Sequence, residues 1–432
     1  MNMTVFPQSP PESSSQTALY KEKKFGHAVV IGNSIAGLTA ARVLTDHFAR
    51  VTIVDRDISP HPAEFRSGVP QTRHAHRLLP RGQIILEQQF PGLVGELLAH
   101  GAVAVDAGKD ISFDYEGGWR TVHSRPNWVS LSCSRPLLES TIYRRLAAFP
   151  NIHIKQGYEA IGLQVDEKNE RVTGLRLQCR RCQSADIELP ADLVVDASGR
   201  NSKAPQWLAS LGYTPPEEWL VNSFAGYATR IYQRPDHFHD SWQTLYVRPT
   251  PPDGTRGGII VPMEGNRWHV TLVGVAEDYP PLDETGFLDF AQSLPTPQFY
   301  KAIKATKPLT RPAGFRGTAN RVRRYDTLPR YLEGFLIYGD AAYILNPIYA
   351  QGMTAAAIGS QALNQCLAQQ PQGDLTGLAH AFQKQLSHSL SRLWHTVTSQ
   401  DWQWPATTIT DNSDDIQGAF HNDHHNIAPI SP

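Results

Sequence analysis

HAVVIGNSIAGLTAARVLTDHFARVTIVDRD, residues 27–57, sets two apolar runs on either side of a glycine-bearing turn and an Ala/Leu-rich segment. His27–Ile31 has the length and composition of a buried strand. Gly32-Asn33-Ser34-Ile35-Ala36-Gly37 follows and opens into a helical stretch, Leu38–His47; a second apolar run, Val51–Val54, ends in Asp55. In this βαβ order Gly32 permits the sharp turn and Gly37 permits close helix–strand packing, with Ser34 standing where a second glycine is usual. The helix N-terminus offers backbone N–H groups and a positive dipole end to a pyrophosphate, and Asp55 can accept the ribose hydroxyls of an adenosine. The stretch predicts a Rossmann-like α/β domain that binds a dinucleotide. Ser34 must then either turn its hydroxyl away from the phosphates or hydrogen-bond to them.

A second stretch answers the first from far along the chain. GDAAYILNPIYAQGMTAA, residues 339–356, follows the apolar run Gly334–Tyr338, which reads as a short buried strand, and leads into alanines that favour a helix from Ala355. A carboxylate at a strand's end and a Gly-containing loop opening a helix make a place for a ligand with hydroxyls and partial negative charge. Asp340 suits a ribitol hydroxyl, and the loop Pro347–Met353 suits the pyrimidine end of an isoalloxazine. This separates FAD from NAD as the dinucleotide.

Four segments, GNSIAG, FRSGVPQTRHAHRLLPRG, ADLVVDASGRNSKAPQWLASLG and GDAAYILNPIYAQGMTAA, resemble the group A FAD-dependent monooxygenases of the para-hydroxybenzoate hydroxylase-like fold. The second and fourth look closest to a bacterial branch of olefin epoxidases and hydroxylases. The resemblance spans roughly residues 26–370. It implies that Gly32, Ser34, Ile35, Ala36, Gly37, Asp55 and Arg56 hold the ADP half of FAD. Arg66, Arg73 and Arg135 resemble arginines near the cofactor, and Asp340, Pro347, Gln351, Gly352 and Met353 hold its ribitol and isoalloxazine. VVDASGRNS resembles the family's second glycine motif, with Asp196, Gly199 and Ser202 shaping the floor beneath FAD. Three positions depart from the family: Tyr343 stands where many relatives carry His, Ala350 replaces a common Gly, and DASGR replaces a DADGR-like form.

The implied activity is monooxygenation: NAD(P)H reduces FAD, O₂ forms a flavin C4a-hydroperoxide, and oxygen passes to an olefin or an aromatic ring. The flavin carries the chemistry, so no catalytic side chain is named. No second dinucleotide fold is visible, which fits either transient docking of the reductant or a partner flavin reductase. A reductase or dehydrogenase of the geranylgeranyl-reductase type, without oxygen insertion, shares the fold and is the alternative. A flavin-fold protein that only binds is a third reading.

The remaining segments are plainer. Residues 213–329 read as a substrate domain with an antiparallel sheet, inserted between FAD-binding segments 26–212 and 330–372. Its aromatics Phe224, Tyr227, Trp242, Tyr246 and Trp268 sit on or beside strands, and alternation lets only some of them face the flavin. TGFLDFAQSL reads as a helix. Residues 373–410 read as a C-terminal helix with Phe382, Leu386, Leu390 and Leu393/Trp394 on one side, docking on the FAD domain. WQWP, 402–405, resembles part of the tryptophan motif of flavin halogenases but lacks its Ile-Pro spacing. Cys179 and Cys182 form a lone CxxC, read as two cysteines in a solvated hairpin, with a metal or redox pair as the alternative. RHAHR, 73–77, is placed beside the flavin by the resemblance, with Arg73 and His74 as cofactor or substrate contacts, surface or structural histidines as the alternative, and no metal expected.

Composition sets the outer limits. Among 432 residues, Lys+Arg 40 against Asp+Glu 41 gives a net charge of -1, so no bulk attraction to nucleic acid or anionic membrane is implied. No apolar run approaches the roughly 18 residues of a spanning helix. Residues 1–25 and 411–432 read as disordered polar tails, the N-terminus lacks a secretory pattern, and four cysteines fit a cytoplasmic protein.

Overall fold

The computed structural model describes residues 23–58, 70–115, 118–121, 129–181, 185–238 and 240–410. Arg66, Cys182 and both expected tails beyond these bounds lie outside the described residues.

Five parallel strands form the first layer, in the order Phe335–Ile337, Leu193–Asp196, Phe25–Ile31, Phe48–Asp55, Ile152–Gln156. Ala28, Val29, Val30, Val51 and Ile53 are wholly buried, because helices cover the parallel sheet on one side and the antiparallel strands Tyr158–Val165 and Val172–Cys179 pack on it from the other. The first helix runs Ile35–His47, starting earlier than the sequence suggests, with Ser34 as its N-cap residue. The GD stretch keeps its expected order, strand Phe335–Ile337, a 3₁₀ turn Gly339–Ala341, a second turn Pro347–Tyr349, then a helix, but the helix Gly352–Gln369 starts three residues before Ala355 and takes in Gly352 and Met353.

The second layer is a seven-stranded sheet built on Gly226–Gln233, Arg267–Gly274, Arg256–Met263 and Thr244–Val247. Ile111–Tyr115 joins it by pairing parallel to Thr244–Val247, so part of the early chain extends the substrate sheet. Helices Glu284–Gln292 and Pro297–Lys304 cover one face; the sequence signals the first of them only. Phe287, Phe290, Phe299 and Ile303 from these helices pack against Tyr232, Trp242, Trp268 and Leu272. The other face, carrying Tyr227, Thr244, Tyr246, Val261, Thr271 and Val273, lines a cavity. Strand alternation thus sends Tyr227 and Tyr246 to the cavity and Trp268 to the core.

Helix Leu378–Asp401 lies on Gly352–Gln369, with Phe382, Leu386, Leu390 and Trp394 buried and Leu393 packed at the edge. The chain then turns back, and Thr408–Thr410 pairs antiparallel with Glu218–Asn222. In the hairpin Tyr158–Val165/Val172–Cys179, Cys179 is disulfide-bonded, which departs from the plain reading of a solvated CxxC turn; Cys133 and Cys366 are free and buried. Among the described residues no helix is long and apolar enough to cross a membrane.

Candidate active site

The carboxyl ends of the parallel strands meet the inner face of the seven-stranded sheet around one cavity of about 680 Å³. It runs from Asp55 and Arg56, past Ser34, Arg135 and Asp340, to a chamber walled by Tyr227, Tyr246, Val273 and Phe315.

At the first end, Gly32 adopts φ +105°, and a Cβ there would stand 2.5 Å from the Ala197 carbonyl oxygen. A Cβ on Gly37 would lie 1.8 Å from the Gly32 carbonyl oxygen. Both glycines are therefore set by close backbone approach. Asp55 Oδ2 accepts from the Asn33 amide at 2.7 Å and Oδ1 from the Asp57 amide at 2.8 Å, so this carboxylate also fixes the turn beside which it sits.

Ser34 resolves the question raised by its position. Its hydroxyl donates to Glu139 Oε1 at 2.6 Å. Arg135 donates to the same oxygen through Nε at 2.8 Å and to Ser34 Oγ through Nη2 at 3.1 Å. Both ion-pair partners are nearly buried, with side chains 12% and 7% exposed. The hydroxyl is thus drawn aside, and Arg135 is held against the cavity by its own helix, Arg135–Ala147. Sequence reasoning missed Glu139. Its only signal is the i,i+4 spacing from Arg135, which many surface pairs share.

Asp340 faces the cavity from its 3₁₀ turn and makes no hydrogen bond among the described residues. Burial raises its pKa, and Arg200, Arg135 and Arg321 pull the other way. A desolvated carboxylate with free acceptors fits a hydroxyl-rich ligand. The loop that follows is braced by Asn346, whose Oδ1 accepts from the Ile348 amide at 3.2 Å. Ala350 adopts φ +55°, the left-handed region where its relatives' common glycine costs nothing. Ala350→Gly is expected to raise folding stability by about 1 kcal/mol, read as a shift in the urea midpoint; no gain would mean that the loop relaxes around alanine. Pro347, Gln351, Gly352 and Met353 all line the cavity, as do Ile35 and Ala36.

In the second glycine motif Gly199 reaches the cavity. Asp196 does not; it is wholly buried and accepts from Ser202 Oγ at 2.6 Å and the Ser198 amide at 2.9 Å, holding the turn. Arg73 is exposed at the end of a short turn and is not among the lining residues.

The next residue, His74, points inward. Its Nδ1 lies 3.0 Å from Thr229 Oγ1, which in turn lies 2.8 Å from Thr271 Oγ1. Its ring meets Tyr227 edge-on, with centroids 4.7 Å apart. Burial lowers the His74 pKa to about 4 and that of neighbouring His76 to about 3, so both are neutral near pH 7. His269, behind them on the sheet, is likewise lowered to about 4, mainly by burial, and its Nε2 has no hydrogen-bond partner among the described residues.

The sign of the resulting pH effect follows from linkage. The unfolded His269 takes up a proton near pH 6.5 and the folded one only near 4, so its contribution to stability is whole above 6.5 and is lost as pH falls to about 4. His269→Leu removes this loss. Within that window the variant should gain on the parent by about 1.4 kcal/mol per pH unit. Urea unfolding of both proteins above and inside the window checks this; a constant difference would refute it.

The donors and contours fit FAD: a close-packed glycine turn at a helix N-terminus, a fixed arginine, a free carboxylate and a second helix opening onto the same cavity. The comparisons with known proteins agree. Protein Rv3254 of Mycobacterium tuberculosis (strain ATCC 25618 / H37Rv) is 34% identical over 347 residues, covering 79% of this chain and 73% of that one. A 3-(3-hydroxy-phenyl)propionate/3-hydroxycinnamic acid hydroxylase of Burkholderia cenocepacia (strain HI2424) is 27% identical over 226 residues, 51% of this chain but 36% of the hydroxylase. Among solved structures, p-nitrophenol 4-monooxygenase PnpA from Pseudomonas putida DLL-E4 superposes with a TM-score of 0.62 at 16% identity, covering 93% of each chain, which speaks to the fold. A family described as the FAD binding domain matches residues 27–377. The chain belongs to that FAD-binding family and has the para-hydroxybenzoate hydroxylase-like fold of the group A flavin-dependent monooxygenases.

Proposed function

We propose that this protein uses FAD, NAD(P)H and O₂ to place one oxygen atom on an electron-rich carbon of a small apolar molecule, epoxidising an olefin or hydroxylating an aromatic ring. The observation that carries the reading is the continuity of one cavity from the glycine turn at Gly32, past Asp340 and the Pro347–Met353 loop, into a chamber of aromatic and aliphatic side chains. The hydroxylase relative supports the same class of reaction. FAD, when bound, supplies the activation of dioxygen. The chain's part is placement. Arg135, fixed by Glu139 and Ser34, would face the pyrophosphate, and Asp340 would accept a ribitol hydroxyl. The amides opening helix Gly352–Gln369 would meet the pyrimidine edge. Tyr227, Val273 and Phe315 would keep water from the reacting carbon. Neutral His74 would offer a hydrogen bond to a polar substituent on the substrate. Electrons would come from NAD(P)H docking directly or through a separate flavin reductase.

The test is an absorbance spectrum of purified protein, then NADPH addition in air while oxygen is followed, with candidate olefins and phenols under ¹⁸O₂. Label in the product supports monooxygenation. Product formed with no label, with or without a supplied flavin reductase, would point to the reductase-type chemistry instead. Failure to bind supplied FAD would overturn the reading.

Substrate length has a visible determinant. Tyr227 and Phe315 separate the main chamber from a second cavity of about 150 Å³ bounded by Tyr279, Pro280, Leu282 and Arg316. Phe315→Ala should join the two and shift relative kcat/KM toward longer substrates by roughly tenfold. An unchanged ranking across a homologous series would contradict that partition.

A further inference from the structure

Helix Leu378–Asp401 does more than cover the FAD domain. Its last turn and the following residues, including Val397, Gln400, Gln403 and Trp404, line the substrate side of the cavity. Its last residue, Asp401, is wholly buried. The carboxylate is the meeting point of four side chains from three separate parts of the chain. Oδ1 accepts from Tyr349 Oη at 2.7 Å and Ser223 Oγ at 2.9 Å, and Oδ2 accepts from Asn320 Nδ2 at 2.6 Å. Asn346 Nδ2 lies 3.2 Å from each oxygen. Asn320 Oδ1 also accepts from the Asn346 amide at 2.6 Å, which closes a ring of bonds.

Tyr349 and Asn346 belong to the loop that leads into Gly352. Ser223 follows a strand of the substrate side, and Asn320 begins the strand paired with it. A buried carboxylate with this many donors is held by all of them at once, and no neutral side chain of its size accepts as many. We propose that Asp401 is a positioning residue: it locks the flavin-side loop Asn346–Ala350 to the C-terminal wall of the substrate chamber, so that cofactor edge and substrate wall keep one fixed separation. The inference rests on FAD lying along that loop.

The test separates the two ideas. The parent protein is first titrated with FAD; no binding there defeats the FAD reading itself. With binding established, Asp401→Asn keeps the shape but sets an amide against four donors. FAD affinity should fall about tenfold or more, and the visible spectrum of bound flavin should shift as its pyrimidine edge loses its fixed donors. The double variant Asp401→Asn with Asn346→Asp turns one of the four donors into an acceptor for the new amide, leaves the other three as they were, and should recover part of both. If Asp401→Asn does not fold, Tyr349→Phe removes one donor and should still alter the spectrum and raise substrate KM more than it lowers kcat. Unchanged affinity and spectrum in Asp401→Asn, no recovery in the exchange, or a silent Tyr349→Phe would each overturn the proposal.

Discussion

Gly37→Ala will leave a protein that does not retain FAD. The added methyl would sit 1.8 Å from the Gly32 carbonyl oxygen and 2.8 Å from its carbon. Neither side can yield cheaply. The Gly32 amide donates to the Val54 carbonyl at 2.8 Å, and the Asn33 amide is held by Asp55. On the other side, Leu38, Ala41 and Leu44 of the same helix are buried against the rest of the core. The helix must lift off the sheet, which moves the very amides that would meet the pyrophosphate. Overpacking in cores costs about 1–3 kcal/mol even when soft side chains absorb it; backbone against backbone should cost about 3 kcal/mol or more. Cofactor content after gel filtration and the thermal midpoint read the two effects. An alanine variant with full flavin content would show that the turn is softer than its contacts imply.

Glu139→Gln should be costly without cofactor and much less so with it. In the absence of FAD the Arg135 guanidinium has Glu139 as its close anion, and the pair is nearly out of solvent. Removing one member of such a pair leaves an uncompensated charge, at about 3–5 kcal/mol. The pyrophosphate would bring new negative charge to the same guanidinium. FAD should therefore raise the unfolding midpoint of the variant by more than that of the parent, the reverse of what a damaged binding site gives. Equal shifts in the two proteins would place Arg135 away from the phosphates.

Legibility followed the range of the interactions. Gly32, Gly37 and Asp55 act within one βαβ unit, so their spacing along the chain carries their geometry. Asp340 could be read because it, too, sits between a strand and a helix start. The opposite case is Asp401, whose donors Ser223, Asn320, Asn346 and Tyr349 are brought together only by the completed fold. No local pattern in SQDWQWP marks it, and tryptophans dominate the eye there. Arg73 and His74 illustrate a finer limit. Adjacent residues in a turn point in different directions, and nothing in RHAHR tells which of the two is buried. Ala350 is instructive in another way: the departure from the family's glycine was visible in sequence, while the left-handed backbone that gives it an energetic meaning was not.

The pairing of Leu193–Asp196 with Phe335–Ile337 has a consequence for biosynthesis. The glycine turn is made early, as a chain emerges from the ribosome, yet its partner carboxylate Asp340 arrives only after the whole substrate sheet, and Asp401 later still. Domains generally fold as units in order of synthesis. This one cannot, because the sheet that cradles the cofactor is finished by a strand that comes after the insertion. A nascent chain therefore offers the phosphate cradle well before it offers a complete pocket, and the pocket closes only after the segments that follow the insertion have been made.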